Sequence, residues 1–228
     1  MSLELDLTIR ENLNGKYIFA HAHQFREAID YAHKTRVPQI QLRGVIGREN
    51  LGAVVDFKEL EKLSESLRVI SFADAIENII NFDSIYALTN LEKIYFQCKQ
   101  GFKIDVSRFP KLEHLGGEYW KGLANFSQAH TLTSLVILKL VDTNLQKLSG
   151  LKRLKKLHVY SSKIQTLEGI ESLSIEELSL ARNNILENIQ AVESLKNLKL
   201  LSIEKCKKVV DGGLLNSLRN SVQTNIIA

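Results

Sequence analysis

Leucines at 151, 154 and 157, then Val159, then Ile164, Leu167 and Ile170 keep neither of the periods open to a regular element. A helix would repeat near 3.6 residues and a strand would alternate. A very short strand around Leu157-His158-Val159, flanked by turning segments, fits instead, and the arrangement recurs. The template is apolar at positions 1, 4, 6 and 11, with Asn or Cys at 9. Leu135, Leu138, Leu140 and Leu145 fit it, as do Leu154, Leu157, Val159 and Ile164. Ile175, Leu178, Leu180, Asn183 and Ile185 fit, and Leu198, Leu201, Ile203 and Cys206 follow. Upstream, Leu67, Ile70 and Phe72 match, then Leu91, Ile94 and Phe96, then Leu112, Leu115 and Gly117; Val37, Ile40 and Leu42 make a fainter copy. The sixth positions are residues 42, 72, 96, 117, 140, 159, 180 and 203, so the gaps are 30, 24, 21, 23, 19, 21 and 23. No such copy can bury its own apolar side; stacked neighbours bury one continuous core.

Over roughly residues 60–215 the chain resembles the leucine-rich-repeat family. The stretch ARNNILENIQAVESLKNL is similar to the 22-residue copies of bacterial internalins and of a phosphatase regulatory subunit. CKKVVDGGL, from Cys206 to Leu214, resembles the cysteine-containing subtype. The resemblance implies an α/β solenoid, with a curved parallel sheet on the concave face and a helical or irregular convex side. Position 9 lies where the chain turns, and its side chain can satisfy backbone groups of the neighbouring turn. Thr143, Ser162, Asn183 and Cys206 occupy that row in the last four copies, which gives Cys206 a structural role. The earlier ninth positions, Ala75, Lys99 and Trp120, suit no buried polar ladder.

Both ends of such a stack need covering. Leu3, Leu5, Leu7 and Ile9 alternate with polar neighbours, which predicts a half-buried strand. Asn14-Gly15 is a turn signal before KYIF, hence a hairpin. Phe25, Ala28, Ile29 and Ala32 then fall at helical spacing. Residues 1–59 therefore read as an N-terminal cap with a degenerate first repeat, 60–210 as the repeats and 211–228 as a C-terminal cap. In that last segment, after Asp211-Gly212-Gly213, Leu214, Leu215, Leu218 and Val222 predict a short amphipathic helix. Ile226 and Ile227 fit none of these elements.

Composition narrows the function. Thirty basic residues against 26 acidic ones give a net charge of +4 over 228 residues, which suits a mixed solvated surface rather than a nucleic-acid site. No apolar run reaches the ~18–20 residues of a membrane span. The acidic, alternating N-terminus lacks the basic start and apolar block of a secretion signal, so a soluble cytoplasmic monomer is expected, with export lacking a cleaved signal as the alternative.

Reactive pairings fail on spacing. In this register Cys98 lies beside Tyr119, so His114 is five residues back, roughly 16 Å away and out of reach as a base. Cys98 and Cys206 are five strand gaps apart, about 24 Å, too far for a disulfide. His21 and His23 are too few to close a metal site, and no phosphate loop or serine elbow occurs. The basic run Lys152, Arg153, Lys155 and Lys156 has no interleaved aromatics, and Lys156 meets Glu177 across the strands. No cofactor and no catalysis are expected.

Positions 3, 5 and 7 of each strand point outward on the concave side. They are Val69, Ser71, Ala73; Lys93, Tyr95, Gln97; His114, Gly116, Glu118; Ile137, Lys139, Val141; Lys156, His158, Tyr160; Glu177, Ser179, Ala181; and Leu200, Ser202, Glu204. Such a face matches the roughly 20–30 residues a protein interface uses per side. Lys93, Tyr95, His114, Glu118, Lys139, Lys156, His158, Tyr160, Glu177 and Arg182 are the predicted partner-binding residues, Tyr and Arg being common anchors; Trp120 is a candidate for either core or surface. The predicted function is a non-catalytic protein-interaction module. A dedicated inhibitor, such as a bacterial toxin-immunity protein, or a host-targeted effector is the alternative.

Overall fold

Strands of four or five residues have too little edge to stand alone, and the chain lays them side by side in register. The computed structural model describes residues 7–44, 52–210, 213–218 and 221–227. Leu3 and Leu5 of the expected first strand, and Asp211 and Gly212 before the expected last helix, lie outside the described residues. Two compact units result, Met1–Ile104 with Arg108–Leu112, and Asp105–Ser107 with Glu113–Ala228.

In the first unit, β1 (Ile9–Asn12) and β2 (Gly15–His21) form an antiparallel hairpin. Its turn is held by the Asn14 N–H donating to Asn12 Oδ1 at 2.8 Å, and Gly15 supplies a φ of 100°, which glycine adopts without a side-chain clash. The expectation of a half-buried first strand fails at Ile9, because all four residues of β1 are exposed, whereas Leu7 just before it is half-buried. Helix α1 (Phe25–Thr35) buries Phe25, Ala28, Ile29 and Ala32, the four residues its spacing singles out. It stops at Arg36, whose left-handed φ of 52° lets its N–H cap the carbonyls of Ala32 and His33.

The chain continues through β3 (Gln39–Arg43), β4 (Val55–Asp56), β5 (Val69–Phe72), β6 (Ile79–Ile80) and β7 (Lys93–Phe96). The main sheet runs β1-β2-β3-β5-β7, and β4 pairs with β6 on the return side. Ile18, Ile40, Ile70 and Ile94 make one buried row, and Ala20, Leu42, Phe72 and Phe96 the next. The wider copies are filled by phenylalanine: Phe72 stacks on Phe96 at 4.8 Å, Phe82 meets Phe102 at 4.8 Å, and Phe57 lies between Phe25 and Phe82. Return segments over Phe57–Leu63 and Phe82–Ala87 are 3-10 helices.

After the short β8 (Ile104–Asp105), the second unit carries β9 (His114–Glu118), β10 (Leu123–Ala124), β11 (Ser134–Leu138), β12 (Lys156–Tyr160), β13 (Glu177–Ala181) and β14 (Leu200–Glu204). A five-residue helix α2 (Leu214–Leu218) and β15 (Gln223–Ile227) follow. Its sheet runs β9-β11-β12-β13-β14-β15, all parallel. Leu115, Leu135, Leu157, Leu178 and Leu201 form one buried ladder. Gly117, Ile137, Val159, Leu180 and Ile203 form the other, its four side chains buried.

One copy sits in a different frame from the expected one. Leu135 pairs with Leu157 and Ile137 with Val159, so Leu132, Leu135 and Ile137 hold positions 1, 4 and 6, not Leu135, Leu138 and Leu140. The sixth positions 117, 137 and 159 give spacings of 20 and 22. Both frames satisfy the apolar template; unbroken ladders with Leu115 and Leu157 decide between them. Position 9 is therefore the buried Leu140, and Thr143 is exposed.

That ninth row is a hydrogen-bonded ladder. The Leu140 N–H donates to Ser162 Oγ at 3.0 Å, the Ser162 N–H donates to Asn183 Oδ1 at 2.9 Å, and Asn183 Nδ2 donates to the Val159 carbonyl at 2.8 Å. Cys206 lies 3.6 Å from the Leu180 carbonyl, and burial raises its thiol pKa. In the same turn Leu186 takes the buried place expected for Ile185, which is half-buried.

Candidate functional site

With positions 4 and 6 inside, alternation sends positions 3, 5 and 7 of the second unit to the opposite sheet face. The rows are His114-Ser134-Lys156-Glu177-Leu200, Gly116-Val136-His158-Ser179-Ser202 and Glu118-Leu138-Tyr160-Ala181-Glu204. Five gaps from β9 to β15 span about 24 Å. Ile137 leaves the expected outward set because it lies in the inner ladder and is buried. Lys139 moves to position 8, and Val141, exposed, moves to the turn beyond.

The middle of this face is a fixed polar network. Glu177 accepts from Lys156 at 3.0 Å and from His158 Nε2 at 2.7 Å. Tyr160 Oη lies 3.1 Å from His158 Nδ1 and donates to Ser179 Oγ at 3.2 Å. Burial raises the Glu177 pKa, but the bonds from Lys156 and His158 outweigh it and hold the carboxyl below its ordinary value. Lys156 is exposed and the others are part-exposed, and half-buried Val136, Leu138 and Leu200 surround them. The structure thus brings Lys156, His158, Tyr160 and Glu177 together. His114 bonds Ser134 at 2.9 Å, and Glu118 pairs with Lys139 at 2.9 Å. Arg182 is exposed just past β13, and Trp120 is half-buried.

Lys93 and Tyr95 belong to the first unit and have a different setting. Lys93 Nζ donates to Asn14 Oδ1 at 3.0 Å, and Tyr95 also bonds Asn14. Three strand gaps, about 14 Å, separate β2 from β7, so the hairpin turn bends back over the outward face. Burial raises the Tyr95 pKa against the pull of that bond. Val69 and Ser71, expected to be exposed, are buried on this same face.

The competing arrangements stay apart. Cys98 and Cys206 are not joined in a disulfide. The rings of His21 and His23 are 5.8 Å apart, and the described residues contain no group of three or more His, Cys, Asp or Glu placed to hold a metal. In the basic run, Lys152 bonds Ser172, Lys155 pairs with Glu176 at 3.0 Å, and Lys156 pairs with Glu177. No helix among the described residues is long and apolar enough to cross a membrane.

Two features escape sequence reasoning. Gln100, buried, accepts from the Ile76 N–H at 3.1 Å and donates to the Asp74 carbonyl at 3.2 Å. It does the turn-filling work one place beyond Lys99, and the offset hides it from a fixed template. The second is β15, which turns Ile226 into a sixth-position residue beside Ile203; its alternation is too short to read.

No protein-family model matches the chain, and no curated protein matches it. Solved structures do. An internalin (inlF) of Listeria monocytogenes aligns with a TM-score of 0.57 at 16% identity, over 90% of this chain and 71% of that one. The leucine-rich-repeat domain of the type III effector XopL aligns at 0.56 and 13% identity, over 93% and 75%. A leucine-rich-repeat protein of Leptospira interrogans aligns at 0.54 and 15% identity, over 86% of this chain and 56% of that one. At such identities the likeness is one of fold.

Proposed function

The chain is a leucine-rich-repeat protein by fold, and on that premise we propose that it is a non-catalytic module that binds a protein partner on the outward strand face of its second unit. The observation that carries this is the Lys156-Glu177-His158-Tyr160-Ser179 network. It holds an aromatic ring, a cation and an imidazole in fixed places beside half-exposed Val136, Leu138 and Leu200. Side chains ordered before contact lose less entropy on binding. Both nitrogens of His158 are already engaged, which favours a structural part in the surface over a base awaiting a substrate. Lys93 and Tyr95, tied to Asn14, contribute only where the hairpin turn is displaced.

The test is affinity capture from native lysate with quantitative mass spectrometry, comparing the parent chain with a Tyr160→Ala, Lys156→Glu variant. A specific protein retained by the parent and lost by the variant, with unfolding curves that coincide, is the expected result. Equal retention by both refutes this face as the docking surface.

A further inference from the structure

Beside the face runs a row of turns that the proposed interaction leaves unused. Position 8 of four successive copies is Lys139, Ser161, Arg182 and Lys205, each with a left-handed φ of 50–56°. Glycine or asparagine occupies this conformation at least cost; other residues are strained there. Three of the four are long cations. Each N–H is fixed to a carbonyl of the next strand: Lys139 to Tyr160, Ser161 to Ala181, Arg182 to Glu204 and Lys205 to Ile227, at 2.7–3.0 Å. The cations therefore stand on immobile backbone, about 4.8 Å from one copy to the next. On the other flank of the buried ninth row, exposed Lys163 and Lys207 extend the same rim.

Glu118 and Glu204 are the carboxylates of the adjoining seventh row, pairing with Lys139 at 2.9 Å and Lys205 at 3.6 Å. Five cations thus face two carboxylates. Like charges at neighbouring rungs repel, and strained backbone held in place by its surroundings is a pointer to function.

We infer that this rim, formed by Lys139, Lys163, Arg182, Lys205 and Lys207, docks an extended acidic segment of a protein partner. The segment lies across the turns, its carboxylates on the rim and its apolar side chains against Leu138 and Tyr160 in the neighbouring row. Nucleic acid fits less well. Glu118 and Glu204 would oppose a phosphate backbone. This inference rests on the strand face being a partner-binding surface, and it names the partner's chemistry.

The test uses the triple variant Lys139→Asn, Arg182→Asn, Lys205→Asn. Asparagine removes the charges and suits the left-handed backbone, so the variant unfolds at no lower urea concentration than the parent. The probe is a fluorescein-labelled peptide alternating glutamate with leucine, against its glutamine counterpart and a single-stranded oligonucleotide of equal length. The parent binds the glutamate peptide best, more weakly as salt rises, and the triple variant binds it about tenfold less. Equal binding by the variant, no preference for glutamate over glutamine, or tighter binding of the oligonucleotide each overturns the inference. The variant keeps Lys156, His158 and Tyr160, so a partner that it retains in full, and that the face variant loses, sinks the rim and spares the face.

Discussion

Replacing Asn183 by alanine tests the stack where its polar ladder is best formed. Asn183 is 0% exposed, its Oδ1 accepts from the Ser162 N–H at 2.9 Å and its Nδ2 donates to the Val159 carbonyl at 2.8 Å. Alanine orphans a buried N–H, which costs about 1–3 kcal/mol, and forfeits a second hydrogen bond with a net value of about 0.5–1.5 kcal/mol. The expected loss is about 1.5–4.5 kcal/mol, the sum of those two effects. Urea denaturation gives the loss, and hydrogen exchange at the Ser162 amide gives its location, since that N–H alone loses its acceptor. Thr143→Ala is the control. Thr143 is exposed, and surface changes usually stay within about 0.5 kcal/mol. If Thr143→Ala costs as much as Asn183→Ala, the frame of this copy is wrong. If Asn183→Ala is neutral and the Ser162 amide keeps its protection, the ladder does not hold the turns together.

Leu157→Ala empties a site with no exposed surface between Leu135 and Leu178 and should cost ~2–5 kcal/mol in the same assay; a change near zero contradicts the inner ladder. Gly169 has φ +108°, and a Cβ there would lie 2.5 Å from the backbone of Gln146, so Gly169→Ala should lower the urea midpoint by more than about 1 kcal/mol of stability, and an unchanged midpoint contradicts the close approach of these return segments. Glu177 titrates below the ordinary glutamate value of 4.5 in the folded chain. Its contribution is therefore present above that value and vanishes as pH falls through the lowered one. The stability gap between parent and Glu177→Gln should accordingly close in acid, and a gap that widens there disproves the pairing with Lys156 and His158.

Much of the architecture was legible because the inner rows are local patterns. Apolar residues at 67, 70 and 72, at 91, 94 and 96, and at 154, 157 and 159 need only their own segment to show that they turn inward, and α1 shows its buried stripe in the same way. The Lys156–Glu177 pair was legible too, once two adjacent copies were aligned. The frame of the copy around Leu135 was not, since Leu132-Leu135-Ile137 and Leu135-Leu138-Leu140 satisfy one template equally. Only hydrogen bonding to β9 and β12 separates them.

The rest depends on residues far apart in the chain. That Asn14 reaches Lys93 and Tyr95, that Val69 and Ser71 are buried, and that Gln100 rather than Lys99 serves the Ile76 turn all follow from contacts across more than twenty residues. Outside the copy around Leu135, the sequence by itself determined which side chains form the inner strand rows, because hydrophobic periodicity is a property of each short segment. Tertiary structure alone decided which outward side chains are free, because exposure depends on what the neighbouring copies and the hairpin lay over them.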